Sequence, residues 1–287
     1  MTKRLGDRRD GKLLRDVDPM HFITPIIYPN RSDNEAFISE RIDLTNANAW
    51  LERKNASNPS GYPYNLFQIV VTAILKTVTL RPKLNRFIAN SNLYQRNEVT
   101  TAFVVKKLFA DDGAEALAFI HAADDDTIGS IHSAIFRQVS DCRSDKLDSS
   151  TKSMEMFNRM PRGLAKSLVK FVCTLDRHGH VPQPFIETDP YYSSAIITNL
   201  GSIQLHSGYH HLTNWGTTSI FCIIGEKKPR PFYDEAGNVT MRDSIDLGLT
   251  VDERIADGYY FSRSVKLLRE LIEHPELLER PLIDPVE

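Results

Sequence analysis

No stretch of the 287 residues is apolar for the roughly 18 positions a membrane-spanning helix needs. The opening residues, MTKRLGDRRDGKLLRD, also lack the apolar segment of a secretory signal. Cysteine is scarce: Cys142, Cys173 and Cys222 are odd in number and far apart, which excludes a disulfide framework and leads us to expect a reducing, cytoplasmic setting. Cys173 and Cys222 read as buried free thiols, and no cysteine stands beside a helix start or a basic cluster that would make it nucleophilic. CxxC, HExxH, P-loop and GxGxxG patterns are missing, so the common metal and nucleotide signatures are excluded and no metal is expected. Nor is there an excess of one charge. With 35 Lys and Arg against 37 Asp and Glu, the net charge of -2 provides no footprint for nucleic acid or an anionic membrane.

What is present suffices for a substantial core, since 41% of the residues are hydrophobic. Residues 1–20 form a charged arm whose arginines and lysines are interleaved with aspartates; it should pack on the body or on a neighbouring subunit. Alternation predicts a strand over 35–45, and a short helix suits 46–54. The uncharged stripe Leu66, Phe67, Val70, Val71, Ile74, Val78 predicts a long helix over 64–80, buried on most sides. Strands are expected at 99–109 and 116–122, joined by a hairpin across Asp111-Asp112-Gly113. Helices follow at 127–139 and 153–176. The acidic run Asp124-Asp125-Asp126 suggests a metal site but is better explained as helix-start capping, where negative charge meets the helix dipole. Further strands fit 195–200, 217–224 and 239–251, with a turn at 234–238. This order of elements fits a two-layer α/β domain, a mixed β-sheet with helices packed on it.

The most informative stretch is GLTVDERIADGYYFSRSVKLLRELIEHPELLE, residues 248–279. Phe261, Val265, Leu268 and Ile272 recur at helical spacing, Asp257 is a good N-cap, and Pro275 closes the helix. The stretch resembles the C-terminal motif of the 2-oxo acid dehydrogenase acyltransferases (dihydrolipoyl acyltransferases) and their relative chloramphenicol acetyltransferase. There Asp-His-Arg-x-x-Asp-Gly opens the last helix; here the residues are Asp252-Glu253-Arg254-Ile255-Ala256-Asp257-Gly258. Every motif position matches except the catalytic base histidine, whose place Glu253 takes. Thr198-Asn199-Leu200-Gly201 resembles the Ser/Thr-Asn-Leu-Gly segment that precedes the motif in the family, and Arg81-Pro82-Lys83-Leu84-Asn85 resembles the segment after its long helix.

The resemblance implies a chloramphenicol acetyltransferase-like fold over 21–287, a homotrimer with active sites between subunits, and acyl transfer from coenzyme A to a thiol, hydroxyl or amine. It implies that Thr198 donates to the oxyanion, that Asn199 and Gly201 shape the substrate site, and that Asp257 supports the turn through a cap or an ion pair with Arg31 or Arg254. The lipoyl and subunit-binding domains of the multienzyme acyltransferases have no counterpart in these residues, so a lipoyl group would come in trans from a carrier of a 2-oxo acid dehydrogenase complex.

The base is the difficulty. Histidine accepts and returns a proton near neutrality because its pKa is about 6.5, whereas an ordinary glutamate at about 4.3 is poorly matched to a thiol near 8.5. Burial in an apolar channel would raise the carboxylate toward roughly 6 to 7. His211 in His210-His211-Leu-Thr-Asn-Trp215-Gly echoes a His-His form of the motif but lacks its aspartate and its helix, and His206 is a similar loop residue. Two readings stand: an acyltransferase with Glu253 at the base position, or an inactive homologue that scaffolds or regulates a dehydrogenase complex. An antibiotic acetyltransferase fits less well, because that activity depends on the missing histidine.

Overall fold

One long strand, β10 (Val239–Asp252), gathers much of the chain, and in a computed structural model that describes residues 4–58, 61–106, 115–143 and 160–286 it touches three neighbours. Its first half pairs with β9 (Lys228–Tyr233) and its second half with β8 (Ile220–Ile224), while β2 (Glu35–Asp43) runs antiparallel along Ser244–Asp252. Beyond β8 come β7 (Ala195–Asn199) and β5 (Val99–Lys106), both parallel pairings, and then β6 (Glu115–Ala122), antiparallel to β5. The result is a seven-stranded mixed sheet in the order β2-β10-β8-β7-β5-β6, with β9 beside β10. A second sheet joins β1 (Gly11–Leu13), β4 (Asn92–Arg96) and β3 (Arg86–Ala89).

The helices cover one face of the large sheet, which is the expected two-layer α/β arrangement. Ile245, Leu247, Leu249 and Val251 alternate along β10 and are all buried toward α3 (Leu66–Leu80), α4 (Ile128–Arg143) and α7 (Gly258–Glu273). The expected long helix is α3, and nearly everything from Gln68 to Val78 is buried, as its lack of charge before Lys76 dictates. Lys76 itself lies in the core. Its Nζ donates to the Pro281 carbonyl at 2.6 Å, and burial lowers its pKa. The remaining helices are α1 (Pro19–Ile27), α2 (Thr45–Ala56), α5 (Arg162–Arg177) and α6 (Gln183–Thr188).

The opposite face carries a smaller cluster of Ala102, Ile196, Phe221 and Ile223 under Leu212, from the segment between β7 and β8. That segment crosses β10 at Gly248, where a Cβ would stand 1.8 Å from the Gly208 carbonyl oxygen. Only glycine permits two backbones to approach so closely.

Several expectations are corrected. The strand expected from Thr217 begins at Ile220, because the Thr217 and Thr218 amides both donate to the Tyr191 carbonyl instead of a ladder. Cys173 is half-buried, not buried; Cys222 is fully buried and its thiol is pushed up to about 12 by desolvation. Inside the charged N-terminal stretch, Arg8 and Asp10 are buried, because the Arg8 guanidinium reaches both Asp10 at 2.9 Å and Asp176 at 3.0 Å. Asp126 accepts from the Ala123 amide at 2.8 Å just ahead of α4. The hairpin at 111–113 and positions 153–159 of the expected helix lie outside the described residues. Among the described residues no helix is long and apolar enough to cross a membrane.

Two outcomes follow for stability. Gly248→Ala should lower the unfolding free energy by about 3 kcal/mol in a urea titration, since β10 is held at Gly248 by partners on both sides and the crossing loop must be pushed off its packing; a loss under about 0.5 kcal/mol would show that the crossing yields. At the start of α7, the Asp257 Oδ1 accepts from the Tyr260 amide at 2.8 Å, which holds the carboxyl below its ordinary value. A depressed carboxyl stabilises above its unfolded pKa and loses that contribution as pH falls through the folded one. Asp257→Ala should therefore lower the melting temperature at pH 7 by a margin that narrows below about pH 4, and a constant margin down to acid pH would refute the cap as its cause.

Candidate functional site

β10 ends in a buried knot of charge. Asp252, fully inaccessible, accepts from Arg254 Nε at 2.8 Å and Nη2 at 2.7 Å, and Arg31 Nε stands 3.7 Å from Oδ2, the oxygen that Arg254 Nη2 also meets. Each arginine also binds backbone carbonyls. Arg31 donates to Thr213 (2.6 Å), Ile88 (3.2 Å) and Gly216 (3.1 Å), and Arg254 to Tyr28 (2.9 Å) and Pro29 (3.2 Å). Burial lowers the Arg31 pKa against the opposing pull of Asp252.

This knot fixes the backbone on which Glu253 sits. The Asp252 amide donates to Ser219 and the Glu253 amide to Asn34, at 2.9 and 3.0 Å. The Glu253 side chain, by contrast, is exposed and has no hydrogen-bond or ion-pair partner among the described residues. The apolar enclosure expected around it is not supplied by its own chain. The expected ion pair of Asp257 is also corrected: both candidate arginines point inward to Asp252, and Asp257, on the outer side of the turn, caps α7.

Thr198 lies at the other end of the sheet. It closes β7 beside Asn199, both half-buried, and the chain turns sharply at Gly201, where a Cβ would meet the Gly225 carbonyl oxygen at 2.7 Å. Thr198, Asn199, Ser202 and Lys106 form the polar part of a cavity of about 320 Å³ whose apolar wall includes Tyr62, Phe67, Phe103, Ile135 and Val139. The strand at β5, from its β-branched and aromatic residues, and the stripe of α3 were readable, but that Tyr62 and Ile135 converge on Thr198 was not, because they come from separate elements.

The register measures the separation of the two ends. Thr198 is level with Ile223 and Ile223 with Gly248, five residues before Glu253 on β10. The offset is about 17 Å along the strands and two spacings of about 4.8 Å across them. One chain therefore does not bring Thr198 and Glu253 to the same substrate atom.

The loop histidines join neither end by a hydrogen bond. His206 Nδ1 is 3.1 Å from a Glu226 oxygen, and His210 stacks on Phe221 with ring centroids 4.4 Å apart and leans on His211 at 4.5 Å. Among the described residues no three His, Cys, Asp or Glu side chains are placed to hold a metal ion.

Residues 188–279 match the family model of the 2-oxoacid dehydrogenases acyltransferase catalytic domain. No curated protein matches the chain by sequence. Among solved structures, a probable dihydrolipoamide acetyltransferase from Listeria monocytogenes 4b F2365 is similar at 15% identity and a TM-score of 0.60, over 91% of this chain and 94% of that one. The Azotobacter vinelandii dihydrolipoamide acetyltransferase is similar at 15% identity and 0.61, over 92% and 93%. A chloramphenicol acetyltransferase is similar at 12% and 0.56, over 93% and 99%. Residues 188–279 are thus similar in sequence to the 2-oxoacid dehydrogenase acyltransferase catalytic domain, and over nine-tenths of its length the chain has a chloramphenicol acetyltransferase-like fold.

Proposed function

We propose that the chain is a coenzyme A-dependent acyltransferase whose active site is assembled between subunits of a homotrimer. The observation that carries this reading is the cavity at Thr198, with hydroxyl and amide groups at one side and an aromatic and aliphatic wall at the other. A thioester carbonyl seated there meets the Thr198 hydroxyl as a hydrogen-bond donor. As the acceptor attacks, negative charge gathers on the carbonyl oxygen, and a fixed donor stabilises that charge more than it does the ground state. Asn199 and Gly201 form the adjoining turn and set the shape of the substrate site.

Glu253 stands where the family has its base, and on the neighbouring subunit it takes the proton of the acceptor thiol. Asp257, capping the next helix, supports the turn that presents it. In the Azotobacter vinelandii enzyme a serine, together with a histidine and an asparagine four residues apart, was studied for roles in the catalytic mechanism; Thr198, Glu253 and Asp257 stand in the same order here, the last two also four apart. Dihydrolipoamide, the substrate named for the relatives, is the acceptor to try first, supplied in trans by a carrier of a 2-oxo acid dehydrogenase complex.

A second reading is favoured by one observation, the exposed and unpartnered Glu253 carboxylate. It makes the protein an inactive homologue that scaffolds or regulates such a complex, and co-purification with dehydrogenase components without turnover would select it.

Purified protein should transfer acyl groups from at least one of several acyl-coenzyme A donors to dihydrolipoamide; no turnover with any of them would end the enzyme reading. In that assay Thr198→Ala should lower kcat by about 100-fold with little change in KM, and Glu253→Gln should abolish turnover. Unfolding and reassembling the two inactive variants together should restore roughly a quarter of the wild-type activity, the share of ring interfaces that pair an intact Thr198 with an intact Glu253. Failure to restore any would place both groups in one chain's site, against the register.

A further inference from the structure

A second cleft, of about 390 Å³, opens behind the knot that holds Glu253 and is separate from the cavity at Thr198. Its size lies within the range of small-molecule sites, roughly 300–1,000 Å³. Its lining is polar and comes from five parts of the chain: Asn30 and Arg31 before β2, Asn90 and Ser91 in the turn between β3 and β4, Asp176 and Arg177 at the end of α5, Asn214 in the long loop, and Arg254.

The charges on this lining do not balance. Three arginines face it against one aspartate. Asp252 sits behind it, shared between Arg31 and Arg254. The one lining carboxylate, Asp176, is already taken: it accepts from Arg8 at 3.0 Å and from the Tyr192 hydroxyl at 2.8 Å. Arg177 is left exposed at the rim with no hydrogen-bond or ion-pair partner among the described residues, as are the Asn90 amide and the Ser91 hydroxyl. The two-residue hairpin turn puts both in left-handed backbone, with φ of 46° at Asn90, where asparagine is a favoured residue, and 57° at Ser91, where glycine would be easiest. The turn thus brings the unused Asn90 amide and Ser91 hydroxyl to the cleft in a fixed geometry.

We propose that this cleft binds a small organic anion carrying a phosphate or carboxylate group. Arg177 would be its principal contact, Asn90 and Ser91 would donate from the facing wall, and Arg31 and Arg254 would supply the positive field from the floor. Guanidinium is suited to this work because its planar donors match both phosphate and carboxylate oxygens. The proposal stands independently of the acyl-transfer reading.

Calorimetric titration of the full chain with inorganic phosphate, pyrophosphate and citrate, at constant ionic strength set by chloride, tests it. Saturable binding of at least one of these at a single site is expected, with a rise in melting temperature, and the stronger binder tells phosphate from carboxylate chemistry. Arg177→Glu, on an exposed side chain, should weaken that binding about tenfold or more, the loss of one charge-assisted contact, and Arg177→Lys should weaken it less. Thr198→Ala should bind as the unaltered protein does. The proposal is overturned by no saturable binding of any of the three anions, by equal affinity of Arg177→Glu, or by loss of binding in Thr198→Ala, which would move the anion to the other cavity.

Discussion

The structure around β10 depends on one carboxylate. Asp252, itself inaccessible, carries two guanidiniums, and those guanidiniums hold carbonyls of the segment before β2, of β3 and of the long loop before β8. Such a group contributes little net energy when complete, because desolvation offsets the attraction. Removing its acid, however, leaves two uncompensated charges in the interior. Its role here is placement: four distant pieces of chain are held where the last strand stops and the motif begins.

Fixing that end of the sheet has a consequence for the other. β10 runs antiparallel to β8 and β8 parallel to β7, so the ends of β10 and β7 that carry Glu253 and Thr198 face opposite ways. No side-chain rearrangement shortens a separation set by hydrogen-bond register. A reaction that uses both residues needs two copies of the chain, and the exposure of Glu253 in a single copy is consistent with a surface left for a neighbour.

Much of the fold was legible because its signals are periodic. The stripe of α3 and the spacing of Phe261, Val265, Leu268 and Ile272 place the two helices that pack on the sheet, and alternation places β2 and β10. Charge was harder to read. A sequence rich in arginine and aspartate near the N-terminus suggests an arm packed on the body or on a neighbour but not which of its charges are buried; Arg8 is, because Asp10 and Asp176 meet it, and Asp176 is 168 residues away. The same limit hid the partner of Asp257: Arg31 and Arg254 were the right arginines, but the acid they serve is Asp252. The candidate residues of the site were visible as a motif, whereas the cavity wall at Thr198 arises from α4, β5 and the segment before α3, which no local pattern links.

The amine of Lys76 adds a constraint in time. It sits in the middle of α3, and its hydrogen-bond acceptor is the carbonyl of Pro281, with Asp284 also favouring its charge. During synthesis on the ribosome, α3 emerges some two hundred residues before that carbonyl does. Until then the ammonium must stay in water or lose its proton, so the helical layer cannot close over the sheet. Final consolidation of this core is therefore reserved for a chain made at least as far as Pro281, the residue that supplies the acceptor.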